Sequence, residues 1–520
     1  MRRYFSGLAI ALVTLLAIGV YLNTRSHVFV WDDKFLIAQN PTIQRLQNAP
    51  AAFISDFSPP GDPSKKSGYY RPVTILSYMV DFALWGNNPH GFHRTNVLLH
   101  ALCSGLVYIF ASSLCIHPYT ALLSSLLFAL HPVHTESVAW ISGRTDLLCA
   151  MFLLLSLLAF SKSRAGSLSK RRILFQGSSL LTFLFALWSK ETAIVLPLLL
   201  PFYEYVSVRR LPQNNVPSFI RRHASYWTTA ALYMGFRLLA LHRLGPTISQ
   251  HTEGFIIRLL TAPKIVGLYL KQLLWPLHLN AELEVSPVHS PLDAGFLLSI
   301  GVLVALLLIA LRLRRSGPPL FFGILWFFLT LLPVSNLIPL QDAVAERFLY
   351  IPSIGFLIVL SAVLYLLYKH IGKPSLRITM TAVISLILLG YGWITIHRNR
   401  NWKNDLTLFS ANVRDAPASP RAHYNLSTFF LARGEYDQAI KELQTAIQLR
   451  PDYVQAHYNL ACAYALKGKA NLALQALTQA IRYGLRDPQF IQNDPDLQTL
   501  HSDPRFASLI QRLQTPGYPP

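Results

Sequence analysis

The sequence predicts an all-α protein in two parts, a polytopic membrane domain followed by a helical-repeat domain. Three observations carry that class. Of 520 residues, 52% are hydrophobic and 14% charged, too apolar for an ordinary soluble chain. Long Leu/Ile/Val/Phe runs recur from residue 8 to residue 396. Beyond residue 397 those runs stop, and an Ala-rich helical pattern with an internal period takes over. The 33 prolines do not signal disorder, because 12% of the chain is aromatic. The formal charge of +21 would suit nucleic acid only if the cations formed one patch; they are spread over the ends of apolar segments, so no nucleic-acid partner is expected. Cys103, Cys115, Cys149 and Cys462 form no CxxC or CxxxC pair, so neither a zinc site nor a disulfide framework is expected.

Taken in order, residues 1–397 offer about 11 spans: 5–22, 92–114, 119–131, 147–161, 173–189, 192–206, 225–241, 296–311, 319–335, 349–368 and 376–396. The first follows Met1-Arg2-Arg3 and has no small-x-small cleavage site after it, which makes it an uncleaved anchor. A large outer loop, 23–91, separates it from the second. Segment 258–277 is apolar but carries Arg258, Lys264 and Lys271 at helical intervals, and reads as an interfacial or re-entrant helix. Cations cluster at Arg2-Arg3, Lys162 to Arg172, Arg209 to Arg222, Arg312 to Arg315 and Lys369 to Arg377. Eleven spans put every cluster in the cytoplasm, as the asymmetry of Lys and Arg in short loops demands. The N-terminus is then cytoplasmic and residues 398–520 lie outside the cytoplasm.

Within 398–520, Ala422-His423-Tyr424-Asn425-Leu426 recurs as Ala456-His457-Tyr458-Asn459-Leu460. Gly434, Ala439, Leu443, Ala446 and Ile447 recur as Gly468, Ala473, Leu477, Ala480 and Ile481. The offset of 34, with small residues where two helices touch, resembles the tetratricopeptide repeat, with full repeats at 420–453 and 454–487 and partial repeats or caps on either side. Stacked repeats form a groove suited to an extended peptide; a plain helical spacer is the bland alternative.

The polar groups of the first domain gather at the outer ends of the spans: Trp31-Asp32-Asp33, Tyr70-Arg71-Pro72, His93 with Asn96 and His100, His131 to Glu136, Arg144 with Asp146, Lys190-Glu191 and Glu346-Arg347. Charges are driven to span ends in any membrane protein, because one at mid-membrane costs roughly 2.5 to 3.5 kcal/mol on insertion scales. That rule does not explain why acids, histidines and cations return together at successive outer turns. The mixture suits a site for a lipid-linked phosphate, with carboxylates as bases and cations for the anion. Asp32-Asp33 can work as a general base or ligate a hard divalent cation; capping or simple solvation is the rival. His131, His134 and Glu136 could ligate zinc, but Pro132 breaks the helix and no further ligand is apparent, so no metal is assigned. For Lys190-Glu191 and Glu346-Arg347, ion pairing within the turn competes with phosphate contact.

Trp31-Asp32-Asp33 with Asn40-Pro41, Tyr70-Arg71-Pro72, Gly91-Phe92-His93, His131-Pro132-Val133-His134-Thr135-Glu136, Gly143-Arg144-Thr145-Asp146, Ser189-Lys190-Glu191 and Glu346-Arg347-Phe348-Leu349-Tyr350 stand in that order along nearly the whole chain. They resemble the transmembrane-and-TPR-containing O-mannosyltransferase-like proteins, relatives of the GT-C class of membrane glycosyltransferases. The resemblance implies a polyprenyl-phosphate-sugar donor and a catalytic acid in the first outer loop, here Asp32 or Asp33. It implies an inverting attack of an acceptor hydroxyl on the anomeric carbon. Arg71, Arg144, Lys190 and Arg347 are the expected phosphate ligands; His93, His131, His134, Glu136, Asp146, Glu191 and Glu346 are expected to orient sugar or acceptor. No cofactor is required by this chemistry, and a divalent cation is compatible with it. The chain has far fewer repeats than the animal members, which favours a bacterial relative in an inner membrane. Two other classes stay open: a non-catalytic scaffold recruiting a partner through the repeats, and a transporter or flippase of a lipid-linked sugar.

Overall fold

The structure is a computed structural model that describes residues 2–59, 67–114, 116–165, 169–208, 216–243 and 253–514. Cys115, with Arg209 and Arg210 of one cationic cluster, lies outside the described residues. Two compact units emerge. One comprises residues 1–279 and 285–403, the other 280–284 and 404–520. The break expected near His397 falls inside a helix, and the longer segment of the second unit starts at Asn404.

The first unit is built from α1 (Arg2–Tyr21), α2 (Pro72–Trp85), α3 (Pro89–Ser113), α4 (Pro118–Leu130), the short α5 (Thr135–Ala139), α6 (Arg144–Ala165), α7 (Ser169–Ser189), α8 (Leu196–Val208), α9 (Val216–Leu241), α10 (Phe255–Leu274), α11 (Ala294–Ser316), α12 (Pro318–Leu331), α13 (Pro352–His370) and α14 (Pro374–Asn399). Each expected span falls on one of these helices. Among the described residues, six helical stretches are both long and apolar enough to cross a bilayer: Ser6–Ser26, Pro89–Ser113, Ile141–Arg164, Ala294–Ser316, Pro352–His370 and Pro374–Trp402. The chain is a multi-pass membrane protein. Prolines open α2, α3, α4, α12, α13 and α14, where a missing N–H costs nothing.

Packing explains the order. α1 and α14 are tied by amides: Asn399 Nδ2 donates to the Val20 carbonyl and to Asn23 Oδ1, both at 2.9 Å, and Asn23 Nδ2 donates to the Ile396 carbonyl at 2.8 Å. α12 and α13 touch through glycine: a Cβ on Gly355 would meet the Gly323 carbonyl oxygen at 2.4 Å. Small residues at such a crossing let helices approach where lipid supplies no hydrophobic drive. α11 leaves Leu298, Leu307 and Leu308 exposed, as a lipid-facing helix does.

Residues 23–91 are not a plain loop. Phe29, Ile37, Ile43, Phe57, Ile75, Tyr78 and Met79 form a small core with Phe92 and Ile141, and α2 supplies three of them. α2 is an apolar helix that the loop reading missed, because its 14 residues are too short for a span.

The second unit contains α15 (Asp405–Asp415), α16 (Pro420–Ala432), α17 (Tyr436–Leu449), α18 (Val454–Leu466), α19 (Ala470–Arg482), α20 (Pro488–Gln492) and α21 (Pro504–Gln514). α16/α17 and α18/α19 are the two expected repeats. Gly434 and Gly468 hold the turns with φ of 73° and 70°, a conformation that costs a side chain. Ala446, Ala456, Ala473 and Ala480 are fully buried where helices meet.

Segment 280–284 lies in this unit. Glu282 is buried; its carboxylate takes Arg421 Nε at 3.0 Å and Asn425 Nδ2 at 2.6 Å. Ser419 donates to Glu284 at 3.1 Å, and Asn280 donates to the Asn412 carbonyl at 3.1 Å. Segment 280–284 is thus held against α15 and the start of α16.

Candidate active site

The site grows from a four-residue turn. Asp33 N–H donates to the Val30 carbonyl at 3.0 Å, and Asp33 Oδ2 accepts from Val30 N–H at 3.3 Å. Closing that ring forces Trp31 to φ 51°, a left-handed conformation that a bulky residue adopts only when its surroundings impose it. The surroundings are aromatic: Trp31 stacks on Trp140 at 5.4 Å between ring centroids, and Trp140 stacks on Trp402 at 5.9 Å. The turn separates the two acids. Asp33 is fully buried, and its Oδ1 accepts from Ser142 N–H at 2.9 Å and Ser142 Oγ at 2.6 Å. Asp32 points outward and is exposed. Burial pushes the Asp33 carboxyl up to about 7, against the opposing pull of Ser142 and Val30.

Residues 131–146 form the wall behind this turn. Gly143 is needed there, since a Cβ would meet the Ser137 carbonyl oxygen at 2.6 Å. Arg144 is fully buried and fixes the wall: it pairs with Asp81 at 2.5 Å, donates through Nε to Asn96 Oδ1 at 2.7 Å and through Nη2 to the Phe92 carbonyl at 2.9 Å. Asn96 in turn donates to the Trp140 carbonyl at 3.1 Å. Arg144 thus spends its donors on its own chain.

Opposite stands the 342–349 segment. Arg347 pairs with Glu136 and Asp342, and its peptide N–H donates to Glu136 Oε2 at 3.0 Å. Its guanidinium lies over Trp140 at 5.5 Å and over Phe348 at 5.1 Å. Lys190 Nζ lies over the same Phe348 ring at 5.3 Å while pairing with Asp146 at 2.6 Å. Arg71 grips Glu191 with both arms of its fork, Nη2 to Oε1 at 2.8 Å and Nε to Oε2 at 3.2 Å, and lies over Tyr69 at 4.2 Å. Despite burial, Arg71 and then Arg237 hold the Glu191 carboxyl down at about 2, and Glu136 and Asp342 hold Arg347 charged. Shared rings thus link Trp31, Arg347 and Lys190, with Glu136 and Asp146 as their carboxylates.

Several sequence-level assignments look different in this geometry. Lys190 and Glu191 do not pair with each other, nor do Glu346 and Arg347; each finds a partner on another element, Glu346 meeting Arg398 at 2.6 Å. His131 accepts from Val133 N–H and lies 3.1 Å from the Leu273 carbonyl; His134 is bonded to the Phe128 carbonyl and lies 3.0 Å from Ser353 Oγ. Both rings are therefore engaged in joining helices rather than pointing at a ligand. His93 is buried edge-on to His27, centroids 5.6 Å apart. Four residues that sequence reasoning passed over belong to the network: Asp81, Asp342, Arg398 and Arg237. Asp81 and Arg237 were detectable, because an ionised residue inside an apolar helix is costly and needs a reason.

The TPR repeat family matches residues 430–468 and the Tetratricopeptide repeat family matches 454–483. The chain is 28% identical over 505 residues to protein O-mannosyl-transferase TMTC1 of Homo sapiens, covering 86% of this chain and 56% of that protein. It is 27% identical over 532 residues to protein O-mannosyl-transferase Tmtc1 of Drosophila melanogaster, covering 84% of this chain and 61% of that one. Its homologues are protein O-mannosyl-transferases. The chain spans a little over half the length of these relatives. The crystal structure of the Archaeoglobus fulgidus oligosaccharyltransferase in the apo form aligns with a TM-score of 0.45 at 12% identity, over 76% of this chain and 56% of that chain.

Proposed function

We propose that the protein is a membrane glycosyltransferase that moves a sugar from a polyprenyl-phosphate donor to an acceptor hydroxyl on the extracytoplasmic side, with Asp32 as the general base. The observation that carries this is the division of labour in the turn. Asp33 is consumed by Ser142 and Val30, whereas Asp32 is presented outward beside a stacked tryptophan pair topped by Arg347. Similarity to O-mannosyl-transferases over most of the chain supports the reaction class and makes mannose the first sugar to test.

In the step, the acceptor O–H attacks the anomeric carbon, its proton passes to the Asp32 carboxylate, and the C–O bond to phosphate breaks with its electron pair going to the leaving phosphate. A single displacement inverts the anomeric centre. Charge developing on the phosphate falls to Lys190, Arg347 and Arg71, held in place by Asp146, Glu136 and Glu191 respectively. Arg144 holds the wall together instead. Glu346, with the three histidines, sets helix positions behind the site rather than touching sugar. A protein hydroxyl is the acceptor class most consistent with the relatives' names.

The test is transfer in detergent. Purified full-length chain with a radiolabelled polyprenyl-phosphate mannose and serine/threonine peptides should yield labelled peptide. A scaffold or a transporter yields none, since no membrane separates the compartments.

A further inference from the structure

Arg237 sits inside the apolar run of α9 and is 2% exposed. Its Nη2 donates to the Gly68 carbonyl at 2.7 Å, but its Nε has no partner, and among the described residues no carboxylate lies within ion-pairing distance of it. One helical turn earlier, Tyr233 is fully buried with its ring 6.0 Å from that of Tyr70, and its hydroxyl faces the Arg237 guanidinium. The acid whose charge reaches both, Glu191, is already gripped by Arg71. Two guanidiniums therefore share one carboxylate, and among the described residues Arg237 Nε has no acceptor. Buried charges are tolerated when paired, and buried donors when bonded. An anion with several acceptor oxygens would satisfy such donors.

We propose that Arg237 and Tyr233, with Arg71 alongside, form the anion seat that receives the phosphate of the lipid-linked donor. The assignment rests on the transferase reading above. A guanidinium offers its planar fork to two phosphate oxygens, and the phenol donates to a third. When the C–O bond breaks, the negative charge left on the phosphate is met by a guanidinium that, among the described residues, no carboxylate pairs with directly. No proton moves through Arg237. Glu191 keeps Arg71 oriented and keeps the seat from carrying excess charge before the donor arrives. The same chemistry would accept a phospholipid headgroup, so the experiment has to separate the two.

Full-length protein in detergent is titrated with farnesyl phosphate, and separately with phosphatidylglycerol in mixed micelles, while thermal unfolding and binding are followed for wild type, Arg237→Gln, Arg237→Lys and Tyr233→Phe. Farnesyl phosphate should stabilise the wild type. Arg237→Gln should bind it at least about tenfold more weakly, with Lys and Phe variants between. The ligand-free Arg237→Gln protein should melt no lower than wild type, because the substitution removes an uncompensated buried charge. A purely structural arginine gives the opposite pair: a lower melting point and unchanged farnesyl phosphate binding, which overturns the proposal. Equal competition by phosphatidylglycerol overturns the donor assignment. If farnesyl phosphate binding depends on Arg237 while transfer is absent from the wild type, the anion seat stands and the transferase reading falls. If transfer proceeds normally in Arg237→Gln, the seat falls alone.

Discussion

Asp33 accepts two hydrogen bonds from Ser142, 109 residues away in sequence, one from the peptide N–H and one from the hydroxyl. This contact fastens the turn at 30–33 to the wall that carries Trp140 and Glu136. It also sets the two adjacent acids apart, Asp33 buried and Asp32 exposed.

The same contact predicts a pH signature. The folded Asp33 carboxyl is raised to about 7, chiefly by burial, from an ordinary 3.8. A group whose folded value lies above its unfolded one binds more protons in the native state, so its contribution to stability is present below the unfolded value and is lost as pH rises through the folded value. Asp33→Asn cannot ionise and keeps an acceptor for Ser142. Its melting point, relative to wild type, should rise from about pH 4 to about pH 8. A difference that is flat with pH contradicts the burial argument.

Breaking the Arg347–Glu136 pair should hurt stability and catalysis together. Arg347→Gln strands a fully buried carboxylate, at a cost of about 3 to 5 kcal/mol. Adding Glu136→Gln should recover much of the melting point. It should leave sugar transfer reduced by roughly 10² to 10³, because the cation facing the leaving phosphate is still missing. Recovery of both in the double variant would show that Arg347 is only a pillar.

Arg144 should behave as that pillar. Arg144→Met alone leaves Asp81 buried without its partner and should destabilise by about 3 to 5 kcal/mol. In Arg144→Met with Asp81→Asn, whatever protein folds should retain its Michaelis constant for the donor. A raised constant for the lipid phosphate would return Arg144 to the set of phosphate ligands.

In the repeat unit, Glu282→Ala should release segment 280–284, since it removes the buried carboxylate that Arg421 and Asn425 hold. Hydrogen exchange should quicken in 280–284 and at the start of α16, and the loss should be about 1 to 3 kcal/mol. Unchanged exchange would mean that Glu282 anchors nothing.

Legibility divided along physical lines. Helix positions were readable because each span has to bury an apolar length, and the 34-residue offset fixed α16 to α19 because a repeat shows its period directly. α2 was not, because a 14-residue apolar helix inside a loop lacks that length. The residue types of the site were visible as a recurring mixture at the ends of successive apolar segments. Their pairing was not: Lys190 and Glu191 are neighbours in sequence, yet one reaches Asp146 and the other Arg71. Partner choice depends on helix packing, which periodicity does not encode. The difference between Asp32 and Asp33 likewise needed the Ser142 contact.

The account turns most directly on Asp32. Transfer of labelled mannose from its polyprenyl phosphate to a serine/threonine peptide is to be measured for wild type, Asp32→Asn and Asp33→Asn at matched folded concentration. Asp32→Asn should melt like wild type and lose roughly 10² to 10⁴ in turnover, while Asp33→Asn keeps most of its rate per folded molecule. Wild-type turnover in Asp32→Asn, or its loss in Asp33→Asn alone, would contradict the assignment.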